Sequence, residues 1–115
     1  MKIFDLETKS VRELNSLLQT CQLSKKKLTW EIRNPKGGHA IAVGLQEAIN
    51  VNVIGSTGYY CGGMNKKAEI HVFGSVGPGV GENMMSGKII VEGNASQYAG
   101  ATGHGGLLLI KGNAS

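Results

Sequence analysis

One ruler runs through the chain from about residue 50 onward, a step of nineteen residues. Gly55, Gly74, Gly93 and Gly112 are each nineteen apart, and each follows a short apolar run. Gly62, Gly81 and Gly100 keep the same step, as do Ala68, Gly87 and Gly106. So do Ile70, Ile89 and Leu108, and the column Val53, Val72, Val91 and Ile110. A fixed internal period has to be read before any local motif, because it changes what each glycine means.

A period near twenty is too short for a helix pair or a propeller blade, but it matches one coil of a β-solenoid. Each coil then contributes one short strand: Val51–Ile54, Ile70–Phe73, Ile89–Glu92 and Leu108–Lys111. Coils stacked in parallel advance about 4.8 Å each. Recurrent glycines are expected at the corners, where they take positive φ without a Cβ clash. Small residues recur where a corner tucks inward, as in the columns Cys61/Val80/Ala99 and Val76/Ala95/Ala114. The fold expected is all-β: a single-stranded, right-handed parallel β-helix of nineteen-residue coils, with one short N-terminal amphipathic α-helix.

Composition agrees with a turn-rich β-architecture: 18 glycines in 115 residues, aromatics at 5%, and two prolines without a Gly-x-y register. The formal charge of +4 comes partly from Lys25-Lys26-Lys27, a run too short and too poor in aromatics to argue for nucleic acid. Cys21 and Cys61 show no pairing pattern, which suits a reducing compartment. The N-terminus lacks the apolar core and small-residue site of a signal peptide, and the aliphatic run Leu107–Ile110 is too short for a bilayer. A cytoplasmic protein without a membrane or nucleic-acid partner is the expectation.

Residues 2–6 read as a short extended segment. Ser10-Val11-Arg12-Glu13 has the form of a capping box, and Val11, Leu14, Leu17, Leu18 and Cys21 fall at helical spacing. That helix should end near Cys21–Leu23 and pack over an end or flank of the solenoid, since alone it is unstable in water. Leu28–Arg33 alternates as a strand, Asn34-Pro35-Lys36-Gly37-Gly38 is turn chemistry, and His39–Leu45 reads as a second strand. Residues 1–50 are thus taken as helix plus capping strands, and 51–115 as β-helix repeats. The chain stops at Gly112-Asn113-Ala114-Ser115 in mid-coil, so further coils or a partner are expected to cover that end.

The segment Gly77-Pro78-Gly79-Val80-Gly81 resembles a phosphate-cradling loop, but a dinucleotide fingerprint requires a helix to follow. Here Glu82–Gly87 leads to another strand, and Gly77 and Gly81 stack in register with Gly58 and Gly62. The glycines read as structural. His39, His71 and His104 have no partners at metal-ligand spacing, and no Cys-x-x-Cys is present. Cys61 shares its column with Val80 and Ala99 and reads as a buried thiol. No catalytic set, cofactor ligand or metal site emerges. The large residues Tyr59, Tyr60, Met64, Met84, Met85 and Tyr98 sit in corners where a solenoid needs only small ones, which makes them candidates for a partner interface.

These features together resemble the C-terminal GXGXG domain of the glutamate synthase large subunit. The residues that carry it are Gly58–Met64, Gly74–Gly87, Val91–Gly103 and Gly106–Ser115. The free-standing version of that domain is more similar still. It is a subunit of split glutamate-synthase-like complexes such as methylamine–glutamate N-methyltransferase, and shares a leading Phe-Asp-Leu, a helix like Val11–Asn15 and a stretch like Asn34–Gly44. The resemblance implies a scaffold subunit without catalytic residues, flavin ligands or cluster cysteines. Its implied partners are a glutaminase-like subunit and an FMN-dependent synthase-like subunit, with FMN and an iron–sulfur cluster held there. It also implies further coils beyond residue 115. Self-association through the open C-terminal coil is the other partner option. The alternatives are the related β-helix subunit of formylmethanofuran dehydrogenase, an independent binding solenoid, and a free-standing enzyme using the glycine loop.

Overall fold

The computed structural model describes residues 2–20, 29–101 and 103–114. The strands among them are β1 (Lys2–Asp5), β2 (Thr29–Arg33), β3 (Asn50–Ile54), β4 (Glu69–Phe73), β5 (Lys88–Val91) and β6 (Leu107–Ile110). One helix, α1 (Val11–Gln19), lies between β1 and β2. All six strands pair in parallel in chain order, so the sheet is one face of a single-stranded parallel β-solenoid. Asn50 faces Glu69, Glu69 faces Lys88 and Lys88 faces Leu107; the nineteen-residue period is the coil.

Alternation within each strand sends every second side chain inward. Val51, Val53, Ile70, Val72, Ile89 and Val91 are at most 1% exposed, stacked like on like between coils. Burial of each contributes about 1.5–3 kcal/mol. Ile41, Leu45, Val80 and Cys61 fill the interior from the opposite corner, and all are fully buried.

The sheet continues upstream of residue 50. Thr29 faces Asn50, a step of 21, and Lys2 faces Trp30, a step of 28 that accommodates α1. Between β2 and β3 the expected strand His39–Leu45 is absent, and the segment is a corner of the coil. Ala40, Ala42 and Gly44 have φ of 55°, 59° and 70°, so every other residue is left-handed and no extended run survives. The segment does not alternate as a pleat would: Ile41, Ala42 and Leu45 are fully buried, whereas Val43 is only partly buried. Ala40 N–H donates to Tyr59 O (2.8 Å), Gly62 N–H to Ile41 O (2.9 Å) and Gly44 N–H to Gly63 O (2.9 Å). The same corner is therefore built again in the next coil.

α1 closes the first corner. Ser10 caps it, accepting from the Glu13 amide at 3.1 Å, and Leu14 and Leu18 are buried beneath it. Leu17, expected on the same apolar face, is 41% exposed. Asn15 donates to Ala40 O (2.7 Å) and accepts from Val43 N–H (3.2 Å), while Gln19 donates to Val43 O (2.7 Å). These amides satisfy backbone groups that, in later coils, the neighbouring coil satisfies. The helix is a cap in the hydrogen-bonding sense as well as the apolar one. The expected helix end at Cys21–Leu23 and the lysine run at 25–27 lie outside the described residues.

The column Gly55, Gly74, Gly93 and Gly112 has a cause other than the expected one. Only Gly55 has positive φ (129°). A Cβ at Gly74 would stand 2.5 Å from the carbonyl of Gly55, and one at Gly93 would stand 2.7 Å from Gly74 O. Glycine is required there because successive coils touch backbone to backbone. Beside it runs a polar ladder: Ser56 Oγ accepts from Ser75 N–H, Ser75 Oγ from Asn94 N–H, and Asn94 Oδ1 from Asn113 N–H, all at 2.9–3.0 Å.

Candidate functional site

The glycine triplet has no free groups to offer a phosphate. Gly77 N–H donates to Gly58 O (3.1 Å), Gly79 N–H to Gln97 O (2.9 Å) and Gly81 N–H to Cys61 O (2.9 Å). A phosphate cradle needs such amides unpaired and converging; here each holds a neighbouring coil. Gly79 and Gly81 have φ of 77° and 65°, while Gly77 lies too close to Gly58 and Tyr59 of the preceding coil to carry a side chain. The motif is coil packing.

Cys61 is fully buried, and burial pushes its thiol up to about 11, with the Thr57 hydroxyl acting weakly in the opposite direction. A thiol held neutral in this way is neither a nucleophile nor a metal ligand. Cys21 lies outside the described residues. No group of three or more His, Cys, Asp or Glu converges among the described residues.

Two of the histidines have structural work. His39 Nδ1 accepts from Tyr59 N–H at 3.0 Å, and the two rings stack at 3.9 Å between centroids. His71 stacks on Phe73 at 4.0 Å, and its Nε2 lies 2.6 Å from Glu92 Oε2, which Lys111 also reaches at 3.0 Å. The hydrogen bond from His71, then that from Lys111, holds the Glu92 carboxyl below its usual range. This chain of contacts runs from His71 in β4 to Glu92 and Lys111, the residues just after β5 and β6.

The six corner residues proposed for a partner interface divide. Tyr59, Met64, Met85 and Tyr98 are 54%, 45%, 48% and 69% exposed. Tyr60 is half-buried, its ring lying over Gly63. Met84 does not belong with them: it is 3% exposed, and its side chain fills the interior beside Gly81 and Gly106. The sequence shows a methionine pair at 84–85; the corner sends one inward and one outward.

Tyr59, Tyr60 and Tyr98, with Pro78, Gly79 and Glu82, line a cavity of about 220 Å³. In the sequence Glu82 counted only as part of the Glu82–Gly87 stretch and not as a site residue. A second surface lies on the outer sheet face, where Ile54, Phe73, Leu107 and Leu109 are each 43–51% exposed. Exposed apolar side chains recurring on one face mark contact surfaces more often than isolated ones do. Among the described residues, no helix is long and apolar enough to cross a membrane.

The chain is similar to Protein GlxC of Rhizobium meliloti strain 1021, with 56% identity over 65 residues. That stretch is 56% of this chain and 28% of the relative, so the chain matches under a third of the relative's length. No protein-family model matches the chain, and no solved structure matches it.

Proposed function

We propose that this chain is a non-catalytic β-helix scaffold of a glutamate-synthase-like complex. In this reading it holds a glutaminase-like subunit and an FMN-dependent synthase-like subunit at fixed separation, so that ammonia or methylamine passes between them. One observation carries the proposal: in Gly74–Gly87, the stretch most specific to the resembled family, the amides of Gly77, Gly79 and Gly81 each hold a neighbouring coil, so the glycine motif is spent on architecture and not on a phosphate. A stretch committed to architecture suits a rigid spacer, and fixed positioning of two centres is what transfer between them requires. The likeness to Protein GlxC supports the reading and leaves room for further coils in a protein of that kind.

FMN and the iron–sulfur cluster belong, in this proposal, to the partners. Cys61 is unsuited to ligate a cluster, which takes several accessible thiolates. The exposed corner residues Tyr59, Met64, Met85 and Tyr98 supply apolar area for one partner, and the outer sheet face supplies a second.

Native co-purification from the source cells tests this, with mass spectrometry and a visible spectrum of the eluate. The expected result is a yellow complex containing a flavin-bearing synthase-like protein and a glutaminase-like protein. A colourless eluate holding this chain alone, or only copies of it, overturns the proposal.

A further inference from the structure

One column of the solenoid runs Ala40, Tyr60, Gly79 and Tyr98, and all four residues have φ between 55° and 77°. L side chains disfavour that backbone conformation, and glycine is the residue that suits it. Yet two of the four positions carry tyrosine, one of them 69% exposed. Tyr98, strained and exposed, brings the fold nothing that glycine would not bring better, and it points to a role outside the fold. Gly79 lies between Tyr60 and Tyr98, so the missing side chain opens a notch between tyrosines two coils apart, about 9.6 Å along the stack.

The notch has a charge at its base. Glu82 Oε2 lies 3.2 Å from where a Gly79 Cβ would stand. Among the described residues no lysine, arginine or histidine pairs with that carboxylate. Tyrosine faces attract cations, and a carboxylate beside them adds a directed hydrogen-bond acceptor. An apolar occupant would leave Glu82 unpaired and an anion would be repelled. A guanidinium satisfies both parts, because it is planar, stacks on aromatic rings and pairs with a carboxylate through two N–H groups.

We infer that this notch receives an arginine side chain presented by a partner protein. Its openness favours a side chain held by a docked surface over a small molecule that would need enclosure. The partner half of this inference rests on the scaffold reading above; the guanidinium half does not.

The test separates the two. Isotope-labelled chain is titrated with N-acetyl-arginine amide, followed by amide chemical shifts, with the corresponding lysine and citrulline compounds as further arms. Saturable shifts are expected at Tyr59, Tyr60, Gly79, Glu82 and Tyr98, stronger for arginine than for lysine, and absent for neutral citrulline. Glu82→Gln should weaken arginine binding about fivefold, and Tyr98→Ala should do the same with spectra that remain folded. Shifts scattered over other carboxylates, equal response to citrulline or lysine, or no change in Glu82→Gln overturns the inference. If the titration succeeds and co-purification finds no partner, the scaffold reading fails and the notch stands. If partners co-purify equally well with wild type and Glu82→Gln, the notch is not their contact.

Discussion

Replacing Gly77 with alanine separates coil packing from ligand binding as the reason for the glycine triplet. The added Cβ would lie 2.7 Å from the carbonyl carbon of Gly58, 2.8 Å from its oxygen and 3.0 Å from Tyr59 N. All three are backbone atoms of the preceding coil and cannot rotate away, so the coils must part by about 0.6 Å to reach ordinary contact. Overpacking of this kind costs about 1–3 kcal/mol. Separation also lengthens the Gly77 N–H to Gly58 O bond, already 3.1 Å, at a further cost of about 1 kcal/mol. The expected loss is about 2–4 kcal/mol. Gly79→Ala provides the contrast: its φ of 77° costs about 1–2 kcal/mol, but the only close neighbour is the mobile end of Glu82 at 3.2 Å. Urea unfolding followed by circular dichroism measures both, and at a slope near 2 kcal/mol per molar the Gly77 variant should lose about 1–2 M in midpoint. A Gly77→Ala protein within about 0.5 kcal/mol of wild type, or more stable than Gly79→Ala, would refute the packing argument.

Three further outcomes follow from the same geometry. Met84→Ala should lose about 2–5 kcal/mol as an interior truncation, whereas Tyr98→Gly should leave stability unchanged or raise it by about 0.5 kcal/mol; thermal melts of the pair check this. The Glu92 carboxyl is held below 4.5 by His71 and Lys111, so its contribution is present above pH 4.5 and is lost as pH falls through the lower folded value. Glu92→Gln should accordingly flatten the acid limb of the urea midpoint against pH, and an unchanged limb would place the acid sensitivity elsewhere. Cys61 should react with a thiol reagent at pH 8 only as fast as the protein unfolds, and rapid modification of the native chain would contradict its burial.

Much of the repeat could be read directly from spacing. The strands at Asn50–Ile54, Glu69–Phe73, Lys88–Val91 and Leu107–Ile110 lie within a residue of the positions expected from the nineteen-residue step. The cap at Ser10 was visible because its partner Glu13 is three residues away. His39–Leu45 was misread because the alternating apolar letters suggest a pleat, whereas left-handed residues at Ala40, Ala42 and Gly44 fold the segment into a corner that buries Ile41 and Ala42 side by side. Its left-handed residues Ala40, Ala42 and Gly44 correspond to Tyr60, Gly62 and Met64, twenty residues on, so the corner falls off the nineteen-residue ruler. In the candidate site, Tyr59, Tyr60 and Tyr98 stood out as large residues in corners, but Met84 could not be told from Met85 by type. Glu82 became notable only when folding set it at the base of a notch.

The sequence by itself determined the coil length, the parallel stacking and the inward columns, because a repeated chain brings equivalent residues into contact with one another. Tertiary structure alone decided which glycines serve φ and which serve contact between coils, since Gly55 and Gly74 are the same letter in the same column. It also decided which corner side chains face solvent. Neither Met84 nor Met85 has positive φ, yet one is buried and the other half-exposed, because the packing of the neighbouring coils leaves interior room for one of them and residue type does not say which.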